Sequence, residues 1–207
     1  MSKLEPGRIL DEAMSIIAVD GESALAMRPL AARLGVTPMA LYRYFADRDA
    51  LLVALVDRVS QDITLPAPSA DPVATAVELA LCLHDFLSAH PWLIRLISTC
   101  RLASPAGMQF PEGFLGCAAQ AGLTDEQGFV FYRTIFATIL GQATMSHAQA
   151  GTSEIRIPDL TAGPPVPAVS ALAPRWPELA AAASPRAVFQ AIAATLTAPD
   201  ATPRSAH

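Results

Sequence analysis

Between Arg28 and Arg48 the 207-residue chain collects Arg28, Thr37, Pro38, Met39, Tyr42, Arg43, Tyr44 and Arg48. Guanidinium groups and phenolic hydroxyls donate to phosphate oxygens, while a threonine hydroxyl, a methionine or a tyrosine ring can meet base edges and thymine methyls. From Ser23 to Ala46 the only charged residues are Arg28, Arg33 and Arg43, and Arg48 follows shortly after. The segment is therefore cationic in a chain whose formal net charge is −5 and whose pI is near 5.3. Phosphate binding needs positive charge locally, and a whole-chain total averages that away.

Such side chains read nucleic acid only if helices hold them outward. Leu30, Ala31 and Leu34 mark the inner face of a short helix starting near Arg28-Pro29 and ending at Gly35, the residue free to take positive φ. Thr37 is placed to cap the next helix, Pro38 suits its first turn, and Leu41 and Phe45 point inward before an end near Ala46. Ala31 lets the two helices cross closely, and Val36 and Leu41 fill the space beneath, which is the layout of a helix-turn-helix. The same corner occurs in ordinary helical hairpins. Tyr42, Arg43 and Tyr44 within one turn favour an exposed helix whose N-terminal residues enter a major groove. Around this pair, Ser2 with Glu5 has the spacing of a capping box, and Ile9, Ala13, Ile16 and Ile17 mark a first helix that stops at Asp20-Gly21. Asp47 caps a fourth helix with Leu51, Leu52, Leu55 and Val59 on its apolar face, and Arg48 adds its charge to that helix's positive end.

The run Ala31 to Gly35, then Leu41-Tyr42-Arg43-Tyr44-Phe45 followed by Arg48 and Leu51-Leu52, resembles the DNA-binding domain of the tetracycline-repressor (TetR) family. The resemblance covers about the first quarter of the chain. It implies base or groove contacts from Arg28, Thr37, Pro38, Met39 and Tyr42, and phosphate contacts from Tyr44 and Arg48. Met27 stands where many members have a capping threonine, and Tyr44 where histidine is frequent. The resemblance further implies a repressor that binds palindromic operator DNA as a homodimer and is released by a small-molecule inducer. Its dimer bundle would be built from Thr124–Gln149 and Ser184–Leu196, both of which carry apolar faces.

The expected fold is all-α: a three-helix DNA-binding domain over 1–47, a helical ligand-binding and dimerisation domain over 48–198, and a disordered tail over 199–207. In the second domain Val73, Val77, Leu81 and Phe86 mark a helix ending at His90-Pro91, followed by shorter helices over Trp92–Ser98 and Pro105–Ala121. Thr124 with Gln127 has capping-box spacing and opens a long helix to about Gln149. The Pro-, Gly- and Ala-rich stretch 150–177 reads as a loop, and Ser184-Pro185 starts a last helix through Phe189, Ile192 and Leu196.

Phe86, His90, Trp92, Arg101, Phe110, Phe114, Tyr132, Phe136 and His147 are the candidate lining of an inducer pocket, because they bring aromatic surface and a few polar groups to the central helices. Aromatic residues at helical spacing more often serve cores than pockets. The resemblance extends in part to the tetracycline repressors, whose metal–drug site uses a histidine to ligate magnesium; the positions around Cys82 and Cys100 give no clear histidine and carboxylate set for it, so the expected inducer is apolar or aromatic, with no metal and no cofactor. Cys82, Cys100 and Cys117 read as reduced core residues. With no Gly-rich phosphate loop, nucleophile elbow or metal pair, an enzyme is not expected. The apolar composition, 52% hydrophobic, suits a homo-oligomer. Neither a signal-peptide core nor a membrane span is read, which places the chain in the cytoplasm. The competing reading is a helical small-molecule carrier of the same fold that does not recognise DNA.

Overall fold

The apolar stripe at the start of the chain buries Ile9, Ala13, Ile16 and Ile17 in helix α1 (Pro6–Asp20), which ends at Gly21 with φ +78°. In the computed structural model, residues 4–98, 104–149 and 165–197 are described. All regular structure among them is helical. They fall into two compact units, one drawn from 1–64 and 89–112 and the other from 65–88 and 113–207.

In the first unit α2 (Met27–Leu34) buries Met27, Leu30, Ala31 and Leu34 and stops at Gly35, whose φ of +69° is left-handed. There the Gly35 and Val36 N–H groups close back on the Ala32 and Ala31 carbonyls. Helix α3 (Pro38–Tyr42) is shorter than the sequence suggests, because the Tyr44 and Phe45 N–H groups both turn back onto the Leu41 carbonyl. Thr37 occupies the N-cap position without a side-chain bond, and so does Glu5 ahead of α1; Ser2, its expected capping-box partner, lies outside the described residues. Asp47 does cap α4 (Arg48–Ser60), accepting from the Ala50 N–H at 2.8 Å. Leu51, Leu52 and Leu55 of α4 share one core with Ile9, Leu30 and Leu41, so the unit extends past residue 47. Leu96 of α6 (Pro91–Ser98) completes this core, and Trp92 packs against it.

In the second unit Asp71 receives the Val73 N–H at the start of α5 (Pro72–Ala89). By length and composition α5 could cross a bilayer, with a mean hydropathy of 1.3. Its buried face, from Thr75 through Ala76, Leu79, Ala80 and Leu83 to Leu87, is that of a core helix. After α7 (Gln109–Gln120), the capping box forms as read: the Thr124 N–H donates to Gln127 Oε1 (2.9 Å), and the Gln127 N–H to Thr124 Oγ1 (3.3 Å). It opens α8 (Asp125–Gln149), which buries Phe131, Ile135, Ile139 and Ala143. The stretch expected as a loop holds α9 (Pro167–Leu172) and the start of α10 (Trp176–Ala182), while 150–164 lies outside the described residues. Proline takes the first turn of each helix, where its missing N–H costs nothing, and the alanines that follow favour helix. Ser184 caps α11 (Pro185–Ala193), which packs along α8 and buries Phe189 and Ala193.

Candidate nucleic-acid interface

Helix α3 is anchored by a single side chain, Leu41, which is fully buried; Val36 packs against the same core just ahead of it. That anchoring leaves Met39 at 71% and Tyr42 at 45% exposure, with Thr37 and Arg43 also exposed and Pro38 half-buried. A five-residue helix would fray alone. Here the Gly35 turn and the core beneath Leu41 hold it as a rigid platform.

The cations of this unit divide into two groups. Arg33 pairs with Glu12, and Arg58 with Asp11, so two arginines tie α2 and α4 to α1. Arg28 and Arg43 are exposed, on α2 and just after α3, and make no ion pair or hydrogen bond among the described residues. They flank α3 in the chain, and a free guanidinium can donate to phosphate oxygens.

Two residues implied as phosphate contacts are engaged internally. The Tyr44 hydroxyl donates to the Leu4 carbonyl at 2.6 Å, although the ring is 40% exposed. Arg48 donates through Nε to the Leu25 carbonyl (2.7 Å), and through Nη2 to the Glu22 carbonyl (3.0 Å) and the Glu22 carboxylate. Its charge is thus turned onto the protein, and what α4 offers outward at its start is backbone N–H groups.

Glu22 was not singled out by its sequence context. It lies in the 3-10 turn Glu22–Ala24, is only 7% exposed, and receives Arg48 on one carboxylate oxygen and Arg95 of α6 on the other. Burial pushes its carboxyl up, and the hydrogen bonds and charges of Arg95 and Arg48 outweigh that, leaving it below its ordinary value. Arg95 lies 73 residues away in sequence, so no local pattern could have paired them.

The candidate inducer lining separates. Phe110 and Phe114 are buried core residues, Trp92 packs on the core of the first unit, and His147 is exposed. Phe86, His90, Tyr132 and Phe136 are half-buried, the last two with ring centroids 5.7 Å apart, and Arg101 lies outside the described residues. His84 of α5, not among the candidates, is buried against the edge of Phe189, with Asp85 at 3.0 Å from Nδ1 and Ser146 at 3.4 Å from Nε2. Burial raises both the Cys82 thiol, with help from the Asp85 charge, and the Cys117 thiol, while Cys100 lies outside the described residues. Among the described residues no three His, Cys, Asp or Glu side chains are grouped to hold a metal. A groove of about 1270 Å³ runs between α8 and α11, lined among others by Leu123, Gln127, Val130, Thr134, Ile192 and Thr195. None of the candidate inducer residues lines it.

Two family models match the chain, "Bacterial regulatory proteins, tetR family" over residues 9–55 and "Tetracyclin repressor-like, C-terminal domain" over 65–191. The chain belongs to the TetR family. Among its relatives, the HTH-type transcriptional repressor DrrR1 of Streptomyces coeruleorubidus is 31% identical over 122 residues, which are 58% of this chain and 45% of that protein. The match thus spans about half of that relative's length. Two solved TetR-like structures share the fold. ActR of Streptomyces coelicolor in complex with (S)-DNPA has a TM-score of 0.68 at 22% identity, over 95% of this chain and 98% of that one. BioQ with its double-stranded DNA operator has a TM-score of 0.60 at 24% identity, over 71% of this chain and 90% of that one.

Proposed function

We propose that this TetR-family chain is a transcriptional repressor that binds a palindromic operator as a homodimer and leaves it when an apolar or aromatic small molecule binds the second unit. The observation that carries the reading is the pairing pattern around α3. Met39 and Tyr42 are exposed on a rigid short helix, and the unpaired guanidinium groups of Arg28 and Arg43 lie to either side of it in the chain. Along the chain, side chains suited to base edges thus fall between cations suited to the backbone, the combination that major-groove reading uses. Thr37 and Pro38 contribute to the same surface, Tyr44 braces it, and Arg48 supports it through the start of α4. BioQ with its operator and ActR with (S)-DNPA give the fold precedents for both partners.

One such helix reads too few base pairs to bind tightly, and a rigid pair gains avidity and a fixed half-site spacing. The groove between α8 and α11, with Phe129 and Val130 exposed on α8, supports a partner subunit there. For the inducer, Phe86, Tyr132, Phe136 and His147 remain the candidates within the second unit, carried by α5 and α8. No catalytic step belongs to this reading, and the regulator acts in the cytoplasm, where its operator lies.

Selection of bound fragments from genomic DNA, followed by mobility shift across a salt series, tests the proposal. The expected result is a palindromic site whose affinity falls steeply with salt and exceeds that of random duplex by about a thousandfold or more. Equal affinity for every sequence, or no shift at any salt, defeats it and leaves the carrier reading.

A further inference from the structure

A carboxylate held by two arginines has the donor arrangement of a phosphate clamp. Glu22 is held in this way inside the first unit, and one of its two arginines, Arg48, is the first residue of α4, six positions after the exposed Tyr42. The two arginines are not equivalent. Arg48 is further fixed by two backbone carbonyls and its side chain is 35% exposed, whereas the Arg95 side chain is 67% exposed and has Glu22 as its ion-pair partner. Arg95 is thus the member free to leave.

We propose that Glu22 is an internal stand-in for a DNA phosphate: it withholds the Arg48 guanidinium from the duplex, and Arg95 loosens that hold by sharing the carboxylate. This rests on the DNA-binding reading above. While Arg95 is in place, its positive charge offsets that of the carboxylate, and Arg48 is shared out to an approaching phosphate at little cost. When Arg95 departs, the whole carboxylate charge falls on Arg48, and the start of α4 loses attraction for the backbone. These charges lie close enough to escape full screening at physiological salt, where the Debye length is about 8 Å. Arg95 belongs to the segment 89–112, which joins the first unit although the chain on either side of it, 65–88 and 113 onward, belongs to the second. A shift of that segment therefore alters phosphate affinity through a single carboxylate, independently of base reading.

The test uses the full-length protein and a random-sequence duplex of about 30 base pairs, long enough for a whole dimer. Binding is followed across a salt series. Glu22→Gln is expected to bind about threefold to tenfold more tightly, with the slope of log K against log salt steeper by about one. Arg95→Met is expected to bind about threefold more weakly, and the double variant to behave like Glu22→Gln. A purely structural cluster predicts the opposite for Glu22→Gln, since losing a buried partner weakens the head. A folded Glu22→Gln that binds no better than wild type overturns the proposal. Should Glu22→Gln fail to fold, the Arg95→Met effect is measured in an Arg48→Met background, where it is expected to vanish. Persistence there at full size means that Arg95 touches DNA itself, which also overturns it. A wild type that binds no duplex at any salt overturns the regulator reading, and this inference with it.

Discussion

The Tyr44 hydroxyl donates to the Leu4 carbonyl at 2.6 Å, so a residue two positions past the end of α3 holds the chain just ahead of α1. The bond spans 40 residues and fixes where the N-terminal segment enters the head. Tyr44→Phe keeps the ring and removes only the donor. The expected loss is about 0.5–1.5 kcal/mol of stability, the usual worth of one such bond. Thermal melting reads that loss, and mobility shift is expected to show less than about a tenfold change in operator affinity. A larger loss of binding with an unchanged melting midpoint assigns the hydroxyl to a phosphate instead.

Tyr42 and Arg43 are sequence neighbours with different tasks. Tyr42→Ala is expected to remove about 1–3 kcal/mol of discrimination at one operator position while leaving random-duplex binding nearly intact. Arg43→Ala is expected to weaken binding to all duplexes alike and to reduce the salt slope by about one. Competition titrations with operator and scrambled DNA separate the two, and equal losses on both duplexes for both variants contradict the assignment.

Much of this architecture is legible in local sequence because its causes are local. Asp47 and Ala50, or Thr124 and Gln127, lie within one helical turn, so their capping bonds follow from spacing alone. Gly35 announces its left-handed φ because few other residues tolerate it. The state of the arginines is not legible in this way. Arg28 and Arg33 look alike in the sequence, yet only Arg33 meets a carboxylate, Glu12, that arrives from another helix. The same limit hid Glu22 and the internal partners of Arg48. Aromatic spacing was ambiguous for a different reason: Phe110 and Phe114 satisfy helical periodicity as core residues as well as they would line a pocket.

Glu22 also sets an acid sensitivity. Its folded carboxyl titrates below the ordinary 4.5, so the unfolded chain binds more protons as pH falls through that range. The stability it contributes is complete above the unfolded value and is lost as pH drops through the folded one. The melting midpoint is expected to vary little with pH well above about 5 and to fall below about 4.5. In Glu22→Gln that acid fall should be shallower; an identical pH profile in the variant means that other carboxylates govern it.

Gly113 lets α7 lie tightly against α5: a Cβ there would stand 2.7 Å from Cδ1 of Leu79, a residue only 4% exposed. The methyl at the end of Leu79 can rotate away, though only within a packed interior. Gly113→Ala is expected to cost about 1–3 kcal/mol by overpacking, after any gain in helix propensity. Urea unfolding measures it, and a stabilised variant means that Leu79 has room to move.

Val130 gives the sharpest test of the dimer, because the same substitution has opposite signs in one subunit and in two. In the isolated chain Val130 is 65% exposed, and Glu126, four residues earlier, lines the groove beside it. Val130→Lys therefore adds a favourable Glu-to-Lys pair on an exposed helix face, worth about 0.2–0.5 kcal/mol to the monomer. Across a subunit interface the same lysine is buried in an apolar contact with Ile192 and Leu196 close to the groove, and desolvation disfavours its charge. Sedimentation equilibrium is expected to show a dimer for wild type and a folded, helical monomer for the variant. Operator affinity is expected to fall by about a hundredfold or more, as the second reading head is lost. A variant that remains dimeric and binds as wild type places the subunit interface elsewhere than between α8 and α11.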